Sequence, residues 1–349
     1  MGHMKKYKCP QCFTTQSVIR YGYRKKVIRL FCNSCKKSFS VDPYFPNTKE
    51  ILNDHLDGFS FRTLVRKYKI SKSHAWNICH EELKKLPDNN QFTYRYCNRF
   101  SKIFLFDGKY FNIATDKNDW VLLWGIDYFR HDIPVFTIAP AETYQTWARY
   151  FSFLRILDLH PQLMVCDDHT GLKMAARNAF PAVRIQTCYN HFKENIRRDL
   201  HVRSDQGKPY KDFMNRVESI LSSSQKIANQ TFNTWLFALY RDYHTDPVCL
   251  AILTNIEKYK SELLAYRGIS QAPVTTNLIE GMNSHIEARL HAIRSFQSTE
   301  HARLWWNGYI LKRRFTPFTD TEGKFRFLRG KTGVQMTKKQ GVPIPSYFS

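Results

Sequence analysis

Four cysteines near the N-terminus constrain the fold of this chain more than any other sequence feature. They form two pairs, with two residues inside each pair and 19 residues between the pairs: Cys9, Cys12, Cys32 and Cys35. Two thiolates at this spacing can bind one side of a tetrahedral Zn²⁺, and a second pair completes a closed structural site. A redox motif is not expected to occur twice in this way. We therefore predict one structural Zn²⁺, with chance spacing as the alternative.

The segment between the cysteine pairs has the pattern of a β-hairpin. Residues 18–21 and 27–31 are rich in β-branched and aromatic side chains and flank the basic stretch 24–26. A zinc ribbon is built from such a hairpin, and its metal stabilises a fold too small to bury enough apolar surface. We predict a zinc ribbon over residues 1–47.

The charge of the chain indicates a polyanionic partner. Lys and Arg number 53 against 30 Asp and Glu, which gives a net charge of +23. In a chain with enough apolar residues for a packed core, this excess points to nucleic acid. The longest apolar stretches are too short to span a membrane, so no membrane partner is expected. The five remaining cysteines are scattered and odd in number, which suits the reducing cytoplasm.

Residues 48–90 have the pattern of a helix-turn-helix domain. Ser60 and Ser71 can cap the second and third of three short helices, and the third helix could enter the major groove of DNA. The alternative is a helical spacer with a solvated basic face. Basic side chains of this domain, of the ribbon and of the region near residue 312 are predicted to contact DNA: Arg24, Lys25, Lys26, Arg62, Arg66, Lys67, Lys72, His74, Lys312, Arg313 and Arg314.

The pattern from residue 91 onward predicts an α/β domain that ends at residue 314, followed by a basic, weakly patterned tail over 315–349. Residues 190–266 are almost wholly helical in pattern. Short apolar segments predict strands at 103–106, 120–128, 133–138, 163–166 and 183–187.

Three acidic residues are placed where they could form an active site. Asp107 and Asp167 each directly follow a predicted strand, and Glu280 begins a predicted helix. Carboxylates gathered at one sheet edge can bind two Mg²⁺ for phosphoryl transfer. An Asp at the end of a strand is also a common turn residue, which is the alternative for each acid alone.

These residues and their neighbours resemble a known family. Asp167-Asp-His-Thr-Gly-Leu172, the Phe-Pro pair at 180–181, Gln186-Thr-Cys-Tyr-Asn-His191 and Thr275-Thr-Asn-Leu-Ile-Glu-Gly281 are similar to motifs of DDE transposases. The likeness is to the bacterial insertion-sequence branch of the Mutator-like superfamily. It covers residues 100–314.

The resemblance implies a fold and a site. The fold is an α/β multidomain one: an RNase H-like catalytic core with an all-α insertion at about 190–266, preceded by the zinc ribbon and the helix-turn-helix. The catalytic acids fall on Asp107, Asp167 and Glu280, which would hold two Mg²⁺ or Mn²⁺. The acid in the family's pattern is Asp167 and not Asp168. A Cys-x-x-His signature of supporting residues falls on Cys188 and His191.

The function implied is DNA transposition. Such a protein binds the terminal inverted repeats of a mobile element in double-stranded DNA, cleaves there and joins the freed end to target DNA. Two ends must meet, so a homodimer is expected, located in the bacterial cytoplasm and associated with the nucleoid. The alternatives are a domesticated sequence-specific DNA-binding regulator and a nuclease without strand transfer.

Overall fold

The cysteine-rich N-terminal segment folds as a small antiparallel sheet in the computed structural model, which describes residues 7–24, 27–41, 47–226, 228–319 and 321–348. The predicted hairpin is present as strands β1 (Val18–Arg24) and β2 (Val27–Cys32), and a third strand β3 (Lys37–Val41) pairs with β2. Lys25 and Lys26 lie outside the described residues.

Three short helices follow, as the sequence predicts: α1 (Thr48–Leu56), α2 (Phe61–Tyr68) and α3 (Lys72–Lys84). The side chain of Ser60 accepts a hydrogen bond from Thr63 N, and that of Ser71 accepts one from His74 N, so both serines act as N-caps. These helices do not have a core of their own. Their buried residues belong to the same hydrophobic cluster as the central sheet.

The boundary that the sequence predicts at residue 90, between the helix-turn-helix domain and the α/β domain, falls inside a helix. A fourth helix, α4 (Asn89–Tyr96), begins there because the side chain of Asp88 accepts hydrogen bonds from Asn90 N and Gln91 N. The sequence Pro-Asp-Asn-Asn suits a helix N-terminus as well as a loop, and in this chain it caps a helix.

The centre of the molecule is a five-stranded mixed sheet in the order β6-β5-β4-β7-β8. The strand at the middle pairs antiparallel with β5 and parallel with β7. The strands are β4 (Ile103–Phe111), β5 (Trp120–Asp127), β6 (Phe136–Ala139), β7 (Leu163–Cys166) and β8 (Arg184–Thr187). The architecture is therefore mixed α/β, in agreement with the coarse prediction.

One strand differs from its predicted length in a way that affects the site. The first apolar run was expected to end at residue 106, but β4 continues to Phe111, and Asp107 pairs with Trp124 of β5 inside the ladder. The polar residues after 106 stay in the strand because β5 supplies hydrogen-bonding partners along its whole length. Asp107 is therefore a strand residue and not a turn residue.

Side chains on β4 alternate between the two faces of the sheet, as the period of a strand requires. Phe104 and Phe106 pack on the face that α5 (Tyr144–Ile156) and α6 (Thr170–Ala179) cover. Leu105 points to the opposite face, in the large cluster that includes the helices of the second half of the chain.

The second half of the chain is mainly helical. Apart from a 3-10 helix (Asp205–Tyr210), the described part of the predicted helical stretch contains four α-helices, and two long α-helices follow it. They are α7 (Tyr189–Asp199), α8 (Lys211–Ser223), α9 (Asn229–Tyr243), α10 (Pro247–Leu263), α11 (Asn277–Ile293) and α12 (Thr299–Phe315). Helix α11 packs against β4, which brings the helix of Glu280 to the strand of Asp107.

The segment after residue 315 is not an unstructured tail. It contains a short helix, α13 (Gly333–Thr337), and it buries Phe318, Leu328 and Val334. The carbonyl oxygen of Thr337 accepts hydrogen bonds from the backbone N–H groups that follow α4. These three apolar residues are spaced too irregularly to form a helix or strand pattern in the sequence, but they pack on the core. Among the described helices, none combines the length and the hydropathy that crossing a bilayer requires.

Candidate active site

The sheet brings Asp107 and Asp167 to the same edge. Leu105 of β4 pairs with Val165 of β7 in parallel register, and each Asp lies two residues further along the chain, Asp107 within β4 and Asp167 directly after β7. Burial and the negative charge of Asp167 raise the pKa of Asp107 to about 7. Two donors fix the Asp107 carboxylate: Gly108 N donates to Oδ1 at 2.9 Å, and Asn283 Nδ2 donates to Oδ2 at 2.5 Å.

The structure distinguishes Asp167 from its neighbour. Asp168 accepts a hydrogen bond from Lys173 Nζ at 2.5 Å, and the same buried ammonium group also binds Glu262 at 2.6 Å. Asp168 is thus part of a structural ion-pair network. Asp167 accepts only a backbone hydrogen bond in its immediate surroundings, from His169 N at 3.2 Å, among the bonds between described residues. Its carboxylate therefore keeps acceptor capacity for a ligand.

Glu280 lies in the first turn of α11 with Cys188 and His191 beside it. One donor atom from each of the three residues lies within 4.8 Å of the other two. The hydroxyl of Thr276, which is buried, donates to Glu280 Oε1 at 2.5 Å, and Thr276 N donates to Cys188 Sγ at 3.3 Å. His191 Nδ1 is 3.8 Å from Glu280 Oε1. The residues of the predicted Cys-x-x-His signature are therefore next to the predicted glutamate.

The Cys188–His191 pair carries charge. A hydrogen bond with Cys188 and the nearby negative charges of Glu280 and Asp167 raise the pKa of His191 to about 9 despite its partial burial. Hydrogen bonds from His191 and Thr276 lower the pKa of the Cys188 thiol, although burial opposes this. His191 is therefore a cation at neutral pH, next to Glu280, and its charge interacts with both aspartates.

The three predicted acids do not form one compact group of ligand atoms among the described residues. Among the described residues, groups of three metal-ligand atoms within 4.8 Å of one another include Glu280 with Cys188 and His191, but not Glu280 with both aspartates. The charge of Asp167 acts on both Asp107 and His191, so the two halves of the site share one electrostatic environment.

The structure adds a fourth acid that the sequence analysis missed. Glu142 precedes α5, and its Oε2 would lie 2.6 Å from a Cβ at position 108, so a larger residue there would displace the Glu142 carboxylate. Trp147 Nε1 donates to Glu142 Oε1 at 2.9 Å, and the hydroxyl of Tyr110 donates to Oε2 at 3.2 Å. The charge of Glu142 also raises the pKa of Asp107. Asp107 was selected because it closely follows a predicted strand. Glu142 follows β6 by three residues, so the same criterion could have identified it.

The four N-terminal cysteines form one cluster. Cys9 Sγ is 3.6 Å from Cys35 Sγ, Cys12 Sγ is 3.4 Å from Cys32 Sγ, and all four sulfur atoms lie within 4.8 Å of one another. Sulfur ligands of a tetrahedral Zn²⁺ with bonds near 2.3 Å are about 3.8 Å apart. The residues present therefore fit the predicted metal.

Most residues that were predicted to contact DNA lie at the surface. Five of them are exposed on the helices α2 and α3: Arg62, Arg66, Lys67, Lys72 and His74. Arg24 is exposed at the end of β1. Lys67 is already paired with Asp54 at 2.5 Å. Lys312 donates to Asn53 O and to Asp57, and it is half-buried.

The prediction that Arg314 contacts DNA is wrong. Its side chain is fully buried, and it forms an ion pair with the equally buried Asp132 at 2.7 Å. Arg314 also donates to Asn89 Oδ1 and Thr93 Oγ1 of α4. The Lys-Arg-Arg run is helical, so its members point in different directions, and the third points into the core.

Known proteins resemble this chain over much of its length. The family model described as "Transposase, Mutator family" matches residues 62–305. The transposases for insertion sequence element IS256 in transposon Tn4001 from Staphylococcus aureus and Enterococcus faecalis are each 27% identical over 172 residues. Those alignments cover 48% of this chain and 42% of each relative, so the chain spans less than half the length of the curated relatives it matches.

Solved structures resemble the chain only weakly. The catalytic core domain of the HTLV-2 integrase in complex with magnesium matches with a TM-score of 0.21 and 13% identity, over 41% of this chain and 86% of that chain. A simian T-cell lymphotropic virus intasome chain matches with a TM-score of 0.22 and 15% identity, over 65% of this chain and 77% of that chain. No conclusion rests on likenesses this low. The family model, in contrast, covers well over half of the chain, and the chain belongs to the Mutator family of transposases.

Proposed function

We propose that this protein is a DNA transposase that binds the terminal inverted repeats of a mobile element, cleaves the DNA there and transfers the freed end to a target. The observation that carries the proposal is the edge of the central sheet. Asp107 and Asp167 lie on neighbouring strands, and α11 brings Glu280 to the same region together with Cys188 and His191. Two of the acids lie at a pair of neighbouring strands and the third lies in a later helix. This arrangement supports the RNase H-like core that the family resemblance implies.

Asp107, Asp167 and Glu280 would hold the divalent cations, Mg²⁺ or Mn²⁺, two per site. Carboxylate oxygens are the ligands that these hard ions prefer. The surroundings of Asp107 support a cation there, because its burial and the charge of Asp167 disfavour its ionised form when no cation is present. Bound Mg²⁺ would neutralise charge on the phosphate and lower the pKa of a bound water.

The neighbouring residues would position Glu280 and the scissile phosphate. The Thr276 hydroxyl holds one carboxylate oxygen of Glu280, and the Cys188 thiol lies 3.9 Å from the same oxygen. His191, protonated at neutral pH, places a positive charge next to these acids and could donate to a phosphate oxygen. Asn283 keeps the Asp107 carboxylate in one orientation.

The reaction that we propose has two steps. A water oxygen attacks the phosphorus at the element end, and the bond to the 3′ oxygen breaks, which leaves a 3′-hydroxyl. That hydroxyl then attacks a phosphate of the target in line, so that one phosphodiester forms as another breaks. No covalent protein–DNA intermediate is required.

The rest of the chain would deliver the DNA. A zinc ribbon over residues 1–47 and a helix-turn-helix over 48–90 would bind the element ends, and the catalytic domain over 91–314 would act on them. A homodimer would hold two ends together on the bacterial nucleoid. The positive charge of +23 and the exposed cations of α2 and α3 support a DNA partner.

Strand transfer from a pre-cleaved DNA end tests this function directly. The wild-type protein should join a duplex that carries the terminal repeat and a free 3′-hydroxyl to a target plasmid. Asp107→Asn, Asp167→Asn and Glu280→Gln should each reduce cleavage and joining by several orders of magnitude, since one metal pair serves both steps. A protein that cuts but never joins would be a nuclease, and one that only binds would be a regulator.

Asp168→Asn is the matched control for Asp167→Asn. Because Asp168 is bound to Lys173, its loss should lower stability by about 1–3 kcal/mol but leave most of the activity. If Asp168→Asn abolished cleavage and Asp167→Asn spared it, the assignment of the metal ligand would be off by one residue.

A further inference from the structure

A cavity of about 530 Å³ lies between α11 and the end of α12. Helix α11 contributes a stripe of residues at four-residue spacing, at positions 277, 281, 285 and 289, and the stripe begins beside the turn that carries Glu280. The end of α1 and residues 316–319 and 321 complete the wall. We call this cavity the α11–α12 groove. It connects the predicted DNA-binding helices with the helix of the catalytic glutamate.

Arg289 places a positive charge in the groove without an acidic partner. Its Nε donates to Leu56 O at 3.0 Å and its Nη1 donates to His285 O at 2.7 Å, so both bonds go to neutral carbonyl groups. The guanidinium also lies 5.4 Å from the ring centroid of Tyr309. These contacts fix the side chain. The carboxylate of Asp57 also lines the groove, but it pairs with Lys312 at 2.6 Å, and no ion pair between described residues joins it to Arg289.

Arg313 places a second cation in the same groove. Its guanidinium lies 5.0 Å from the ring centroid of Phe318. Burial and the positive charge of Arg289 lower the pKa of Arg313, although interactions with Tyr309 and with the carboxylate of Asp132 oppose this shift. Within the described ranges, which do not include Asp320, no ion pair joins Arg289 or Arg313 to a carboxylate. The two guanidinium groups repel each other, and an anion between them would relieve this repulsion.

Two buried polar atoms in the wall also lack partners. His131 Nε2 and Thr321 Oγ1 line the groove and form no hydrogen bond with any described residue. Leaving such a group unpaired costs free energy, so natural sites of this kind are usually satisfied by a ligand or water. Burial and the charge of Arg313 lower the pKa of His131 to about 4, and its neutral ring can donate one hydrogen bond.

We propose that the α11–α12 groove binds the sugar–phosphate backbone of one DNA strand next to Glu280, with Arg289 and Arg313 as phosphate contacts. This inference deepens the proposed function and rests on it. The planar guanidinium matches the paired oxygens of a phosphate, and the neutral donors of the wall suit the sugar and base edges. Pockets of about 300–1,000 Å³ bind ligands of drug size, and the groove falls in this range. It can therefore hold one or two nucleotides of a strand but not a duplex.

The test measures how salt weakens the binding of a fluorescein-labelled single strand of 20 nucleotides and random sequence. The full-length protein carries Asp167→Asn so that the probe is not cut. Each lost phosphate contact should reduce the slope of log Kd against log salt concentration by about 0.7 for a single strand. Arg289→Gln and Arg313→Gln should each show this reduction and weaken binding about tenfold.

Arg303→Gln is the matched control, because Arg303 is an exposed residue of the same helix α12 outside the groove. It should leave the slope almost unchanged. Arg289→Lys keeps the charge and should keep the slope, which separates a phosphate contact from a loss of folding. An unchanged slope in either groove variant, or an equal reduction in Arg303→Gln, would overturn the proposal. The salt dependence of binding does not depend on strand transfer. A failure of the proposed function would therefore appear in the strand-transfer assay and not in this one.

Discussion

At the scale of single residues, Asp107 shows how a site suited to cations can destabilise the protein that carries it. Its carboxyl group is largely removed from water and faces the charge of Asp167. A folded-state pKa of about 7, raised from an ordinary value of 3.8, means that the folded protein holds this proton where the unfolded chain has lost it. The stability that this proton contributes is fully present below pH 4 and is lost as pH rises through about 7.

Asp107→Asn should therefore stabilise the protein at pH 8 in buffer without added Mg²⁺. The expected gain in the free energy of unfolding is about 1–4 kcal/mol, and it should disappear near pH 4. The amide keeps an acceptor for Gly108 N, and its NH₂ group can donate to Asn283 Oδ1 once the Asn283 amide, which now donates to Asp107, flips. Urea unfolding across this pH range measures the effect.

The control for this measurement is Asp119→Asn, since Asp119 is exposed in the loop before β5. It should change stability little at either pH. A loss of stability in Asp107→Asn at pH 8 would mean that the hydrogen bonds to the carboxylate outweigh its burial, contrary to the argument above.

At the scale of elements, the predicted zinc ribbon should depend on its metal. Among the described residues of the ribbon, only Cys9, Ile28, Leu30 and Cys32 are buried hydrophobic residues, which is too small a core for independent folding. Purified protein should contain about one Zn²⁺ per chain. The double variant Cys32→Ser with Cys35→Ser should lose the metal, unfold the ribbon and weaken end binding, as mass spectrometry of the metal content and binding assays would show.

The matched control changes the two residues between the same cysteines. Asn33→Ala with Ser34→Ala alters exposed side chains only and should keep the metal. If zinc remained stoichiometric after the two cysteine changes, the four-cysteine site would be wrong. The catalytic domain should stay folded in the cysteine variant, because the acids lie in a separate part of the chain.

The helix α3 gives a prediction about sequence recognition. Lys72 and His74 are exposed in its first turn, after the Ser71 cap. Lys72→Ala and His74→Ala should weaken binding to terminal repeats more than binding to random duplex DNA, since contacts to base edges carry the sequence information. Arg24→Ala should weaken both equally. Competition binding with the two DNAs measures the ratio, and equal losses for the α3 variants would favour a helical spacer.

At the scale of the whole molecule, the ion pair of Arg314 and Asp132 joins distant parts of the chain. The two residues are 182 positions apart, and both side chains are fully buried. Arg314 also binds α4, and Asp132 Oδ2 accepts a hydrogen bond from Thr337 in α13. The pair thus ties the end of α12, the helix α4 and the C-terminal segment to the turn after β5.

Arg314→Leu should therefore destabilise the protein by about 3–5 kcal/mol, because it leaves the charge of Asp132 buried without a partner. The double variant with Asp132→Leu should recover part of this loss. Thermal unfolding measures both changes, and the affinity of the folded protein for DNA should stay the same. Unchanged stability with weakened DNA binding would instead support the original prediction of a phosphate contact.

Local sequence patterns determined a large part of this protein. The cysteine spacing, the continuous apolar runs of β4 and β7, and the serine caps of α2 and α3 depend on near neighbours, and the structure contains each of these elements. The match of the family model to residues 62–305 agrees with the resemblance stated from four short motifs. Such features follow from backbone geometry and hydrogen bonding over a few residues.

Only the tertiary structure decided which charged residues lie at the surface and which lie inside. Arg313 and Arg314 are adjacent and chemically identical, yet one lines the α11–α12 groove and the other is buried against Asp132. Glu142 lies in the site because α5 begins beside β4. Asp168 is paired with Lys173, and Lys173 is also paired with Glu262 of α10. The environment of a charge depends on contacts between residues far apart in the chain, and these contacts form only when the sheet and helices pack.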